Sequence, residues 1–373
     1  MTRKQHLGFI DQLRGLAILL VAAGHVFAYA GATYQAPFST IHPSRDPSTV
    51  TGFIATSIFC NGFLGVLLFF GLSGFCIRWS HLHATRFSLK DFYLRRAFRI
   101  YPAYLVWLGI FAVLASAPAW DITVHALLIH NFTIASFYSI NPPFWSIALE
   151  WQIYLIYPLI VWISRRVDSR FILIGTALTG VGAGMLGTTT VQNLFHSNLP
   201  AVLSVLPFWL LFPWMLGFYQ AERLYSGKAL KTIGWWWIAL IPTTLLVESY
   251  PKIHVFRVVL WSIVASQVLA LWCRYASKLT SKPFQALGFI GVVSYSIYLG
   301  HDLVARFYPA IERALSLPRS SFLGGVIASL VCLPLFILIG WVSYHLFEKP
   351  GIQASYFFRK HLIAKKSLEE PGV

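Results

Sequence analysis

Charge is scarce in this chain, and acid scarcest: 13 of 373 residues are Asp or Glu, and 11% are charged overall. A soluble domain carries about 25%, so an all-round aqueous surface is excluded. Cysteine is scarce as well. Cys60, Cys76, Cys273 and Cys332 all fall in apolar stretches, without CxxC or Cys/His spacing. That argues against a disulfide framework and a metal site, and for small packing residues. No tandem repeat or low-complexity tract breaks the chain. No cleavable signal is legible either, because the basic Met1–His6 leads into an apolar run that lacks a small-x-small site and contains Arg14 and His25.

Apolar residues are what the chain has instead: 57% hydrophobic, with a mean hydropathy of +0.65. They come in long blocks, and about 20 such residues match a hydrocarbon core of about 30 Å. The blocks predict an all-α integral membrane protein of about ten transmembrane helices, at 10–30, 52–77, 101–118, 144–163, 171–188, 201–222, 234–249, 255–273, 287–308 and 322–346. Leu89–Arg99 reads as an amphipathic stretch at the interface before the third span. The segment 31–50, with Arg45 and Asp46, reads as the first outer loop. Tyr101, Tyr104 and Trp235–Trp237 read as interfacial belt residues.

A net charge of +16 invites an anionic partner such as nucleic acid, but its placement argues otherwise. Of 29 Lys and Arg, 22 sit in one set of flanks, and only Arg45, Lys252, Arg313 and Arg319 in the alternate set. Arg14, Arg257 and Arg306 lie in or at the edge of apolar runs. This is the positive-inside asymmetry, so the charge reports topology. It predicts a multi-pass protein of the cytoplasmic (inner) membrane with both termini cytoplasmic. A transmembrane domain over 1–350 precedes a polar cytoplasmic tail, 351–373, expected to fray from His361, and no soluble domain is expected at either end.

Charged groups within apolar helices are costly and usually face a cavity or a partner. The first span carries Arg14 and His25, 11 residues apart, which is about three turns and about 16 Å along one helix face. Asp11 precedes Arg14 by one turn and is placed to orient it. Snorkelling explains an isolated Arg and a core hydrogen bond an isolated His. A His on the same face as an Arg also suits proton transfer from a hydroxyl. The second span carries Ser73 between Gly71 and Gly74, a packing motif with a hydroxyl. Arg95, Arg96 and Arg99 precede Pro102, and such a guanidinium cluster suits phosphates as well as positive-inside charge.

Ser146, Glu150, Tyr154 and Tyr157 form one polar stripe on the fourth span. Glu150 reads either as an acid/base group or as the partner of an intramembrane cation. On the ninth span, Ser294, Tyr298 and His301 share a face. A packing histidine is the simpler reading of His301, and an acceptor-side group, with Tyr154 and Tyr298, the alternative. Glu348, Lys349 and Pro350 read as a helix end followed by an interfacial ion pair.

In order along the chain stand FIDQLRGLAILLVAAGHVF, FFGLSGF, RRAFRIYPAY, FWSIALEW, SYSIYLGH and FEKP. Together, over residues 9–350, they resemble the bacterial membrane acyltransferase-3 family, whose members O-acetylate O-antigen, exopolysaccharide and peptidoglycan or acylate macrolides and Nod factors. Gln12 and Ile147 depart mildly from the commoner pattern. The resemblance implies an acyl-CoA donor, usually acetyl-CoA, bound from the cytoplasm, and transfer to a hydroxyl, often on a lipid-linked or surface glycan. It also implies essential His25 and Arg14, donor contacts by Arg95, Arg96 or Arg99, and Glu150 in the site, with Ser73 as a donor-side hydroxyl and no metal. A secondary transporter exporting a small acid or acylated metabolite is the rival reading. The acceptor's identity and the oligomeric state are not legible in the sequence.

Overall fold

A helix satisfies its own backbone N–H and C=O groups, as an apolar surrounding demands. The computed structural model describes residues 3–30, 54–55, 61–84, 87–186, 205–249, 253–316 and 322–369, and among these no strand occurs. The segment 31–50, Cys60, Lys252 and Arg319 lie outside the described residues. The principal helices are α1 (Arg3–Tyr29), α2 (Gly62–Leu82), α3 (Leu89–Leu114), α4 (Trp145–Ser164), α5 (Ser169–Leu186), α6 (Phe208–Tyr225), α7 (Trp237–Ser249), α8 (Arg257–Tyr275), α9 (Lys282–Val292), α10 (Ser294–Leu315), α11 (Phe322–Ser343) and α12 (Lys349–Glu369).

A helix stands at each place where a span is expected. Among the described residues, seven helices are long and apolar enough to cross a membrane, or eight when the bent α9–α10 pair counts as one span. α6, with Glu222 and Arg223 in its last turn, and α7, with 13 residues, are outside that group.

Three boundaries differ from the hydropathy pattern. Leu89–Arg99 is no separate interfacial helix, for α3 runs unbroken through Pro102 from a Ser88 cap. Proline frees the carbonyl four residues back, here that of Phe98. Gly351 of α12 lies so close to that carbonyl that a Cβ would stand 2.6 Å away. Next, the chain bends by 81° between α9 and α10, so the helix expected over 287–308 is broken at Val293. Finally, FEKP does not end a helix. α11 passes through a π-helical turn, Tyr344–Glu348, into α12, with Pro350 in its first turn, where a missing N–H costs little. The tail therefore continues as helix to Glu369 rather than fraying from His361. Tyr104 also departs from the belt reading, being fully buried with its hydroxyl donating to the His125 carbonyl at 2.9 Å.

Backbone-to-backbone contacts lock the centre. A Cβ on Gly291 would stand 1.6 Å from the Asp11 carbonyl, joining α9 to α1, and one on Gly74 would stand 2.0 Å from the Trp214 carbonyl, joining α2 to α6. α1 thus packs among α2, α9, α10 and α11. We call the end of the bundle where α1 starts the near end and the other the far end.

At the far end, the segment between α3 and α4 folds inward. His125 and His130 stack with ring centroids 3.9 Å apart, both fully buried. Burial first, then the adjacent His125 ring, pushes His130 down to about 3, and burial lowers His125 as well.

Two outcomes follow from this packing. Gly74→Ala forces α2 off α6 and is expected to cost about 1–3 kcal/mol, read as a lower melting temperature in detergent. For His130, the folded form titrates below the ordinary value of 6.5, so stability is full above that pH and is lost as pH falls towards 3. Melting at about pH 7.5 and about pH 5 is expected to show a drop that His130→Phe, which keeps the stack, largely removes.

Candidate active site

Side chains from five helices converge on a cavity of about 90 Å³ inside the bundle. α1 supplies Arg14, α2 Ser73 and Cys76, α3 Arg96 and Arg99, α4 Ser146, Glu150 and Tyr154, and α10 Tyr295 and Tyr298, with an apolar lining that includes Phe69 and Ile147. Three guanidinium groups meet one carboxylate around this space. Coulomb energy in an apolar interior far exceeds its value in water, so each of these cations needs a counter-charge or an aromatic face.

Each cation is held differently. Arg14 donates to Asp11 at 2.9 Å, as their spacing predicts, and contacts the Cys76 sulfur at 3.6 Å. Arg96 lies over the rings of Tyr154 and Phe92, 5.6 and 5.8 Å from their centroids, while its buried Nε has no partner among the described residues. Arg99 faces the Glu348 and Glu150 carboxylates. Arg95 leaves the cluster: it pairs with Asp91 at 2.8 Å, and Asp91 also pairs with Arg359 of α12. The α3 cluster is thus divided, with Arg96 and Arg99 lining the cavity and Arg95 paired within α3 to Asp91, which also ties α3 to α12.

The polar stripe on α4 likewise splits. Tyr154 donates its hydroxyl hydrogen to Glu150, so the Ser73 hydroxyl, 3.0 Å away, donates to Tyr154. Ser73 is therefore engaged, and its hydrogen is not directed at the cavity. Ser146 is 2.6 Å from the Tyr298 hydroxyl, which donates to the Pro143 carbonyl at 2.9 Å. Tyr157 lies beyond this group, bonded to His81 at 2.8 Å.

His25 does not line this cavity and stands further along α1, towards the far end. Its Nδ1 lies 2.9 Å from the Val21 carbonyl and 3.3 Å from Nε2 of His301. The Tyr298 ring, in the cavity wall, is 5.5 Å from that of His301. One turn beyond, the Tyr29 hydroxyl reaches Asp302 at 3.4 Å, and Arg306 pairs with Asp302 at 2.5 Å and contacts the Ile140 carbonyl at 3.3 Å. This bracing ties α1 to α10 beside the two imidazoles. Arg306 is thereby explained as an internal ion pair.

Pattern reading misplaced two residues. Cys76, read as packing, lines the cavity beside Arg14; its position three residues after Ser73 put both on one helix face. Glu348, read as an ion pair with Lys349, is buried and accepts from Ser296 at 2.8 Å, while Lys349 is exposed. The π turn rotates Glu348 inward, and no periodicity of an ordinary helix foretells that. Among the described residues no group of His, Cys, Asp and Glu is placed to hold a metal.

Comparison with known proteins supplies the family. The chain matches the Acyltransferase domain profile, Acyl_transf_3, over residues 7–345. It belongs to the acyltransferase-3 family. The ORF330 protein of Acidianus two-tailed virus, which carries an acetyltransferase name, is 27% identical over 306 residues, 79% of this chain and 82% of its own. The peptidoglycan O-acetyltransferase OatA of Listeria monocytogenes is 24% identical over 350 residues, 83% of this chain but 51% of its own length. The acyltransferase MdmB of Streptomyces mycarofaciens is 30% identical over 152 residues, covering 37% of this chain and 38% of its own. No solved structure matches the chain. Membrane acyl transfer from a donor to an acceptor hydroxyl is the chemistry of this family member.

The divided arginine cluster is directly testable. Arg96→Ala and Arg99→Ala are each expected to lower acyl transfer at least tenfold, mainly through the donor KM. Arg95→Ala is expected to stay within about twofold, since an exposed pair is worth about 0–1 kcal/mol.

Proposed function

We propose that this acyltransferase moves an acyl group, acetyl in the first instance, from cytoplasmic acyl-CoA to a hydroxyl of a lipid-linked or surface glycan. The observation that carries the reading is the polarity of the cavity system: three guanidiniums inside the bundle, and an imidazole beyond it on the same face of α1. A nucleotide-bearing thioester has the complementary layout, with phosphates at one end and the reactive acyl group at the other.

In this reading the near end faces the cytoplasm, both termini lie there, and ten helices span the inner membrane. Arg96 and Arg99 bind donor phosphate by charge-assisted hydrogen bonds. Arg14 steadies the donor on the same path, with Asp11 fixing its guanidinium. His25 then acts on the acceptor hydroxyl or first carries the acyl group itself. The Val21 carbonyl accepts only from an N–H, so the neutral ring carries its proton on Nδ1. Nε2 is left with the lone pair, the atom that takes the hydroxyl proton or attacks the thioester carbon. Either route ends with the acyl group on oxygen and CoA leaving as its thiol. Glu150, holding Tyr154, supplies the counter-charge that keeps the arginines from repelling one another.

A transporter of a small acid or acylated metabolite predicts no thioester turnover, and a carrier built on paired broken helices would need a second bend to match that between α9 and α10. Purified protein is expected to release free CoA from acetyl-CoA in repeated turnover when acceptor is present, and His25→Ala to abolish that release while folding normally. Full activity of His25→Ala overturns the mechanism. Cys76 provides a second readout: in a Cys60→Ser background, CoA is expected to slow its alkylation, because the thiol lines the cavity while Cys273 and Cys332 are buried.

A further inference from the structure

The two imidazoles beyond the cavity carry more information than their proximity. The ring of His301 is fully buried and meets that of His25 edge to face, with centroids 4.7 Å apart and an interplanar angle of 72°. Its Nδ1 lies 2.7 Å from the Tyr298 carbonyl, and its Nε2 lies 3.3 Å from Nδ1 of His25. A carbonyl oxygen has no hydrogen to give, so Nδ1 of His301 carries the proton and its Nε2 is bare. The same argument at the Val21 carbonyl, 2.9 Å away, puts the proton of His25 on Nδ1. One arrangement of hydrogens satisfies all three contacts for two neutral rings. The Nδ1–H of His25 is shared between the Val21 carbonyl and the bare Nε2 of His301, and Nε2 of His25 is left unprotonated.

We infer that His301 is the positioning residue of His25, accepting its Nδ1–H and holding the ring in the tautomer the reaction needs. This inference rests on His25 being the group that takes the proton or the acyl chain. When Nε2 of His25 gains a proton or an acyl group, the ring becomes cationic and its Nδ1–H a stronger donor. His301, a buried neutral acceptor, then takes up that hydrogen bond. This is the part a carboxylate plays behind the histidine of a serine hydrolase, filled here without placing another charge in the apolar interior. The far-end brace from Tyr29 to Asp302, one residue after His301, keeps α1 and α10 in register for the contact. The tight approach of Gly300 to Trp107, where a Cβ would stand 2.5 Å from the indole, seats α10 from the other side.

The test separates positioning from packing. His301→Ala, His301→Phe and His301→Gln are compared with wild type for kcat and for the acyl-CoA KM, with monodispersity in detergent as the control for folding. Loss of an orienting partner of a reactive histidine costs roughly ten- to hundredfold. His301→Ala and His301→Phe are expected to lose that much in kcat with KM unchanged, and His301→Gln, whose amide oxygen can accept, to recover most of it. A normal kcat in His301→Ala, or an equal loss in all three variants, overturns the inference. Nitrogen-15 spectra of histidine-labelled protein, with the His25 signals assigned by their absence in His25→Ala, give an outcome independent of turnover. A proton on Nδ1 of His25 in wild type, with an Nδ1 signal that shifts in His301→Ala as the shared hydrogen bond is lost, is the expected result. A proton on Nε2 in wild type refutes the inference even in an inactive preparation. Full activity of His25→Ala, by contrast, overturns the catalytic reading while leaving the tautomer measurement standing.

Discussion

Cations enclosed by apolar helices set the terms for the rest of this structure. Arg14, Arg96 and Arg99 share one cavity, and moving a charge from water into such a medium costs several kcal/mol even after relaxation. Each guanidinium is therefore matched by something specific: Asp11 for Arg14, aromatic faces for Arg96, carboxylates for Arg99. These partners are incomplete. The buried Nε of Arg96 lacks an acceptor among the described residues, and three cations face a single cavity-lining carboxylate. In the function proposed above, a donor phosphate supplies the acceptor that Arg96 lacks. The same logic explains Arg306, whose Asp302 partner and carbonyl contact complete it and leave it structural.

Helix packing turns that electrostatic demand into a defined geometry. Glycines at the crossings of α1 with α9 and of α2 with α6 let backbones touch, and this close seating carries Arg14, Ser73 and Cys76 to the cavity wall. Two interruptions of regular helix serve the same end. The bend after Val292 aims α10 so that Tyr298 and His301 reach Ser146 and His25. The π turn after Ser343 swings Glu348 inward to Ser296 and towards Arg99. Irregular backbone at such depth is tolerated where it is enclosed by protein, and here it lies beside the site.

Much of this could be read from residue order alone, because membrane constraints are local. Long apolar blocks mark helices, and a polar residue inside one marks a face that must turn inward. Arg14 with Asp11 and the stripe of Ser146, Glu150 and Tyr154 were legible on that ground. The failures are equally physical. Arg95, Arg96 and Arg99 look alike as a basic run, yet a difference of about 100° per residue sends Arg95 to Asp91 and the other two to the cavity. Glu348 was misread because a π turn shifts phase without leaving a trace in composition.

The sequence by itself determined an all-helical membrane protein of the acyltransferase-3 kind, since hydropathy, charge asymmetry and ordered motifs are properties of the chain in one dimension. It also determined that Arg14 and His25 share a helix face. Only the tertiary structure decided that His25 meets His301, and that Arg14 meets Cys76 across α1 and α2. Those contacts join residues 276 and 62 positions apart. They depend on helix crossings set by side-chain volume and close glycine contacts, which a single chain's periodicity does not contain.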